Sequence, residues 1–458
     1  MRSVHSVHDG SSDGAIVEIQ TNLANGLPTL QLIGVVGKSL DESKERIRSA
    51  FSHSGLDMPR KKITCNISPS DVPKNGAHYD VGIAMSILLE SGQIKNIEDN
   101  VIFLGELGLD GAIKPVRGTL AKILQAKKQG FDHFVIPVGN LKQAHLIPDI
   151  HLAPVASLKE LYTKITGNDL TFIDTNEGAP LEQKQDHSQA SVDFSEVMGQ
   201  EEAKRALQIA AAGQHNVLLS GPPGVGKSML AKALIGILPP LSREEIITVT
   251  HLHSLVGNDA GTLITERPLR SPHHSTSDIA LIGGGQKPKP GEVSLSHTGV
   301  LFLDELPEFK RSAIESLRQP LEDRSVTVSR AQDRMTYPAD FILIATKNPC
   351  PCGYYGSSKP CICTPLEIDR YQKKLSGPLL DRIDLHVTVD SVDHRTLLKN
   401  QPDSTSEQSR SIRKRVGDTI VRQQKRFDSE TARNGRMNNR QVKQFAQLSP
   451  EAKELLDK

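Results

Sequence analysis

A chain of 458 residues is too long for one hydrophobic core, and two or three domains are expected. Its 37% hydrophobic and 24% charged residues are ordinary for a soluble globular protein, and a formal net charge of +1 excludes a basic surface spread over the whole molecule. No apolar run approaches the roughly 18 residues of a membrane span, the N-terminal MRSVHSVHDGSSDG has no signal-peptide core, and no membrane partner is expected. Five cysteines, four of them between positions 350 and 363, do not resemble a secreted disulfide framework, so the expected location is cytoplasmic.

Residues 1–170 read as an alternating α/β region. Strands are expected over 14–23, 30–35, 61–68, 101–107 and 134–137. Helices are expected from Ser39, with Glu42 completing a capping box, to about Ser54, then over Asp80–Leu89 and Thr119–Gln129. Two stretches, VPKNGAHYDVGIAM (72–85) and GELGLDGAIKPVRGTLAKILQAKKQGFDHFVIP (105–137), resemble the proteolytic domain of the Lon family, which pairs a Ser nucleophile with a Lys. On that resemblance the Ser position holds His78 and the Lys position holds Leu120, with Lys122 two residues on. Neither replacement supports acyl transfer by that route, so the expectation is a Lon-like fold without protease activity. Residues 171–192 are polar and read as a linker.

A motor domain is expected over 193–392. It opens with a short segment and a helix within 193–213. An apolar strand, 216–220, then runs into Gly221-Pro222-Pro223-Gly224-Val225-Gly226-Lys227-Ser228, a complete phosphate loop followed by a helical pattern. The glycines let backbone N–H groups converge on an anion, Lys227 supplies positive charge to the phosphates, and Ser228 offers a hydroxyl to Mg²⁺. These features imply ATP and Mg²⁺. A long Gly/Pro-rich insertion within 251–299 carries His251, His253, His273 and His274, whose spacing fits no common zinc pattern.

The apolar run 300–303 ends in Asp304 and Glu305. It is expected beside the phosphate-loop strand, with Asp304 holding Mg²⁺ and Glu305 polarising the attacking water. Residues 325–341 read as a hairpin with Arg330 and Arg334 near its tip. A further core strand, 341–348, ends in Asn348, placed to reach the γ-phosphate or the lytic water. Cys350, Cys352, Cys361 and Cys363 form two Cys-x-Cys pairs around an eight-residue loop, a pattern that suits a tetrahedral structural Zn²⁺; disulfides or free thiols are the alternatives.

The segments RSPHHSTSDIALIGGG, GEVSLSHTGVLFLDELPEF, LRQPLED, NPCPCGYYG and LSGPLLDRIDLH together resemble the Mg-chelatase-like AAA+ family that includes YifB and ComM. The resemblance implies a Lon-like α/β domain followed by a parallel-sheet AAA+ module and a helical lid. It makes Asp304 and Glu305 the Walker B pair, Asn348 the sensor, and Arg382 a finger reaching the neighbouring subunit's nucleotide in a ring, expected to be a hexamer. The hairpin, with Arg330 and Arg334, would line the pore and contact DNA. The implied function is a ComM-like helicase promoting branch migration during natural transformation. Alternatives are a magnesium-chelatase-like ATPase driving metal insertion, or a Lon-like unfoldase without proteolysis.

Beyond 393 the pattern is helical, over 394–400, about 404–427 and 448–457. Between 410 and 443 eleven bases minus three acids give +8, readable as a solvated face or a phosphate-contacting surface. The family's lid motif, close to G-L-S-A-R-A-Y, does not follow QVKQFAQLSPEAKELLDK, so the lid, 393–458, is expected to be truncated, with helices left partly exposed.

Overall fold

A computed structural model describes residues 3–8, 16–34, 37–70, 74, 76–175, 192–257, 263–285, 289–329, 334–357, 359–391 and 408–457. The chain forms two compact units. One contains residues 1–183, 242–264 and 331–335; the other contains 184–241, 265–330 and 336–458.

The first unit is built on strands β1 (Ser3–Val7), β2 (Ile16–Ala24), β3 (Thr29–Ile33), β4 (Lys62–Ser68) and β5 (Val101–Phe103). After a side hairpin of β6 (Glu106–Leu107) and β7 (Ile113–Lys114) come β8 (His133–Pro137), β9 (His151–Val155) and β10 (Ile173–Asp174). They form one mixed sheet of eight strands in the order β10-β9-β8-β5-β1-β2-β4-β3. Because strand side chains alternate between faces, Val4, Ile19 and Phe103 enter one core while Val7, Ile102 and Phe134 enter the other. The first core is closed by the almost wholly buried helix Asp80–Glu90 and by Ser43–His53; the second takes Leu120 and Ile123 from the helix Thr119–Lys128.

Three features depart from the sequence reading. Strand β1 lies near the centre of the sheet, in a stretch that reads as merely polar. Its Ser6 is tolerated there because the hydroxyl donates to Phe103 O at 3.0 Å. The helix expected to start at Ser39 starts earlier, at Lys38, because Gly37 O accepts from the amides of Leu40 and Asp41; it breaks at Glu42, which makes no side-chain cap. The single strand expected over 101–107 divides into β5 and β6.

The helix Arg243–Ser254 packs in the first unit although its sequence falls inside the expected motor region. Ser242 and Glu245 form a reciprocal capping box at its start, Arg243 donates to Leu146 O at 2.6 Å and His145 O at 3.1 Å, and Ile247 lies against the second core.

In the second unit the strands are β11 (Val217–Ser220), β12 (Leu269–Arg270), the hairpin β13 (Gly283–Gly284) and β14 (Lys289–Pro290), β15 (Val300–Leu303), the hairpin β16 (Ser325–Ser329) and β17 (Arg334–Pro338, of which 334 and 335 are grouped with the first unit), β18 (Ile342–Lys347) and β19 (Leu385–Thr388). Five of them make a parallel sheet in the order β12-β15-β18-β11-β19. The strand ending in Asp304 is therefore not beside the phosphate-loop strand, as the sequence reading had it; β18 lies between them. The helices Glu201–Gly213, Lys227–Ile237 and Ser409–Phe427 share a core with this sheet through Leu207, Leu234, Ile412 and Val416. Helices follow at Asn439–Phe445 and Pro450–Leu456, with Leu448, Leu455 and Leu456 exposed. The helix expected over 394–400 lies outside the described residues.

Candidate nucleotide-binding site

A parallel sheet presents all its strand C-termini on one edge, and here the insertion of β18 decides what meets there. The phosphate loop follows β11 and leads into the helix Lys227–Ile237. Gly224 and Gly226 adopt φ of +82° and +92°, which only glycine accepts readily, and a Cβ at Gly221 would sit 2.1 Å from Val389 O. The curled backbone turns Lys227 inward. Its ammonium donates to Gly221 O at 2.6 Å, Pro222 O at 2.9 Å and Asn348 Oδ1 at 3.1 Å. Burial holds this lysine below the usual value, with Asp304 and Glu305 pulling the other way.

Asp304 and Glu305 follow β15, and both are exposed. Ser228 Oγ donates to Asp304 Oδ2 at 3.1 Å. The other carboxylate oxygen, Oδ1, accepts from the buried Thr346 hydroxyl at 2.6 Å, and that same hydroxyl accepts from the Glu305 amide at 2.8 Å. Glu305 has a left-handed backbone, φ +52°, an unfavourable conformation for a residue with a side chain. Thr346 thus ties the Asp304 carboxylate and the Glu305 backbone into one turn. The groups fit ATP and Mg²⁺: an inward lysine on carbonyls that phosphate oxygens can replace, glycine amides in a curled loop, and a hydroxyl beside a carboxylate as hard oxygen donors.

Several organising residues escaped the sequence reading. Thr346 is one. Asn216 is another: its side chain donates to Arg382 O at 2.9 Å and accepts from the Leu343 amide at 3.0 Å, while its own amide donates to Asp384 Oδ2 at 3.2 Å. It ties β18 and the turn carrying Arg382 to the start of the phosphate-loop strand. Gln200 donates to Asp390 O at 2.6 Å. Each is an ordinary polar residue whose partners become visible only with the strand order.

Arg382 stands in the turn after the short helix Gly377–Leu380, half-exposed, its guanidinium 3.0 Å from the exposed carboxylate of Glu322. The hairpin β16–β17 is present, with Thr327 and Thr336 hydroxyls 3.0 Å apart across it. Arg330 and the side chain of Arg334 lie outside the described residues. Of the basic residues beyond 410, several hold the fold. Arg413 donates to Gly236 O, Arg415 to Gln208 Oε1, Arg426 to Asn434 Oδ1, and Arg436 to Asp340. Cys350, Cys352, Cys361 and Cys363 bring their sulfurs together after β18, whereas none of His251, His253, His273 and His274 joins a metal-compatible group among the described residues.

In the first unit His78 is buried, with Nε2 3.0 Å from Val7 O and its ring against Tyr79; Leu120 is packed in the core. Lys122 is buried as well and donates to Arg117 O at 2.6 Å. No described helix is long and apolar enough to cross a membrane.

A phosphate loop, an acidic pair and a polar residue on the interposed strand, all on one edge of a five-stranded parallel sheet, define an ATPase site of the AAA+ class. Residues 193–397 match the family described as magnesium chelatase, subunit ChlI, and residues 19–140 match the family described as subunit ChlI of Mg-chelatase. The chain is 41% identical over 414 residues to a protein of Mycobacterium tuberculosis, covering 88% of this chain and 79% of that one. It is 39% identical over 435 residues to YifB of Salmonella typhimurium, covering 94% and 83%. It is 40% identical over 387 residues to competence protein ComM of Haemophilus influenzae, covering 82% and 73%. The chain belongs to the Mg-chelatase-like YifB/ComM family, which implies use of ATP and Mg²⁺.

Proposed function

We propose that this protein is an ATP-hydrolysing ring motor acting on DNA, a helicase promoting branch migration during recombination of incoming DNA. The observation that carries the motor reading is the connected chain Lys227–Asn348 and Ser228–Asp304–Thr346–Glu305, which links the phosphate loop, the sensor strand and the acidic pair. The DNA reading draws on the relative named a competence protein and on the hairpin β16–β17.

In this reading Lys227 and the loop amides hold the phosphates, Ser228 and Asp304 hold Mg²⁺, and the ion neutralises charge on the phosphate oxygens. Glu305 orients the attacking water and Asn348 senses the γ-phosphate. Arg382, exposed on the surface and held by one exposed ion pair, supplies positive charge to the site of the next subunit. That division of labour makes turnover depend on the ring. Arg330 and Arg334, which the resemblance assigns to the hairpin, are the DNA-phosphate contacts of this reading. Residues 1–170 serve as a Lon-like interaction domain without proteolysis, 193–392 as the motor core and 393–458 as lid.

Forked or four-way DNA is expected to raise ATP turnover, with Lys227→Ala abolishing it and Glu305→Gln binding ATP without hydrolysis. ATP turnover indifferent to every DNA structure would remove the DNA reading; normal hydrolysis by Glu305→Gln would remove Glu305 from its role.

A further inference from the structure

Between β18 and the helix Pro365–Gln372, the described residues of 348–364 contain no helix or strand. Irregular segments of this length inside a compact domain need something to hold them. Apolar burial does not supply it: Ile362 is 86% exposed and Tyr355 53%. What converges instead is sulfur. The Sγ atoms of Cys350, Cys352 and Cys361 form a triangle with edges of 3.4, 3.7 and 3.6 Å. Cys363 completes a group whose four sulfurs all lie within 4.8 Å of one another. A tetrahedron with Zn–S bonds of about 2.3 Å has edges of about 3.8 Å. Backbone amides already point at the sulfurs, as they do around bound thiolates: Tyr355 N lies 3.3 Å from Cys350 Sγ, and Cys352 N lies 3.4 Å from Cys363 Sγ. No pair is joined as a disulfide.

The loop these cysteines close begins at the nucleotide site and turns back against it. Cys350 is two residues beyond Asn348, whose side chain meets Lys227 at 3.1 Å. Thr364, next to Cys363, caps the helix Pro365–Gln372, which carries the buried Tyr371. Between them Gly353, at φ +85°, lies so close to the phosphate loop that a Cβ there would be 2.7 Å from Pro223 Cδ.

We propose that Cys350, Cys352, Cys361 and Cys363 bind one Zn²⁺ as a closed four-thiolate site that fixes Asn348 and the Gly353 turn against the phosphate loop. The ion has no open position for water or substrate, so it is a structural clip and takes no part in the hydrolytic step. Its positioning role rests on the proposed part of Asn348 in ATP hydrolysis; metal binding itself does not.

The test uses the full chain purified from zinc-replete cells without chelator. Elemental analysis is expected to give one zinc per chain. Exchange for Co²⁺ is expected to give the visible bands of tetrahedral thiolate cobalt, absent from Cys361→Ser. Well under one zinc per chain with no cobalt bands, or a disulfide among the four cysteines in intact-mass analysis, would overturn the site whatever the ATPase does. Should Cys361→Ser fail to fold, a mercurial that strips the wild-type site, followed by thiol and Zn²⁺, gives the same comparison. Stripped protein is expected to bind a fluorescent ATP analogue nearly as before, lose roughly tenfold in kcat, and recover with Zn²⁺. Faster hydrogen exchange at 346–357 and 221–226 should accompany that loss. Unchanged kcat and exchange after stripping would overturn the positioning role.

Discussion

Thr346 shows how much of the site depends on one uncharged side chain. It is fully buried, and its hydroxyl donates to Asp304 Oδ1 while accepting the Glu305 amide. Valine has the same shape without the hydroxyl. Thr346→Val is therefore expected to leave the Glu305 amide unsatisfied and Asp304 free to turn, at about 1–3 kcal/mol of stability. Nucleotide affinity should hold, because Lys227 and the loop are untouched, while kcat falls at least about tenfold from misaligned acids. Steady-state kinetics with thermal unfolding checks both; a variant with wild-type kcat would show that the hydroxyl does not position the pair. The phosphate loop was legible in the sequence because its chemistry is local: eight consecutive residues carry the turn, the charge and the hydroxyl. Thr346 and Asn216 were not, since their partners lie 42, and 127 or 166, positions away and meet them only through the order of the strands.

At the scale of elements, periodicity served best where one pattern ran uninterrupted, as in β4, β8 and the helices Asp80–Glu90, Thr119–Lys128 and Ser409–Phe427. It failed at β1, whose Ser3, His5 and Ser6 hide the strand until Phe103 O is seen to accept from Ser6. The helix Asp80–Glu90 also contains a residue that a hydrophobic pattern cannot explain. Asp80 is fully buried at its N-terminus, accepts from Arg46 Nε at 2.8 Å on the neighbouring helix, and accepts from the Leu107 amide at 3.2 Å. Burial pushes its carboxyl above the ordinary value, opposed by Arg46. The pair joins two helices and the β6 hairpin, so Asp80→Ala takes the carboxylate from a half-buried guanidinium, which still has Ser43 and Glu42 beside it, and removes an acceptor from the Leu107 amide. A loss of about 3–5 kcal/mol is expected in chemical denaturation of the first unit. A loss below about 1 kcal/mol would mean that water replaces the carboxylate without cost.

For the whole molecule the question is whether one chain can hydrolyse ATP alone. Lys227, Ser228, Asp304, Thr346 and Asn348 are joined within the chain, but the arginine that the family resemblance assigns to catalysis is spent on an exposed pair with Glu322. Such a pair is worth little, about 0–1 kcal/mol, and can be given up to a phosphate group of another subunit. If Arg382 serves a neighbour, Arg382→Ala keeps nucleotide affinity and loses turnover by a factor of about 10³ or more. Glu322→Ala, by freeing the guanidinium, leaves turnover equal or raised. The decisive measurement mixes Arg382→Ala with Lys227→Ala, each inactive alone. In a mixed ring some interfaces join an intact phosphate loop from one subunit to an intact arginine from the next, and turnover is expected to reappear in proportion to those interfaces. Should mixing restore nothing while size analysis shows mixed assemblies, the arginine does not act across subunits.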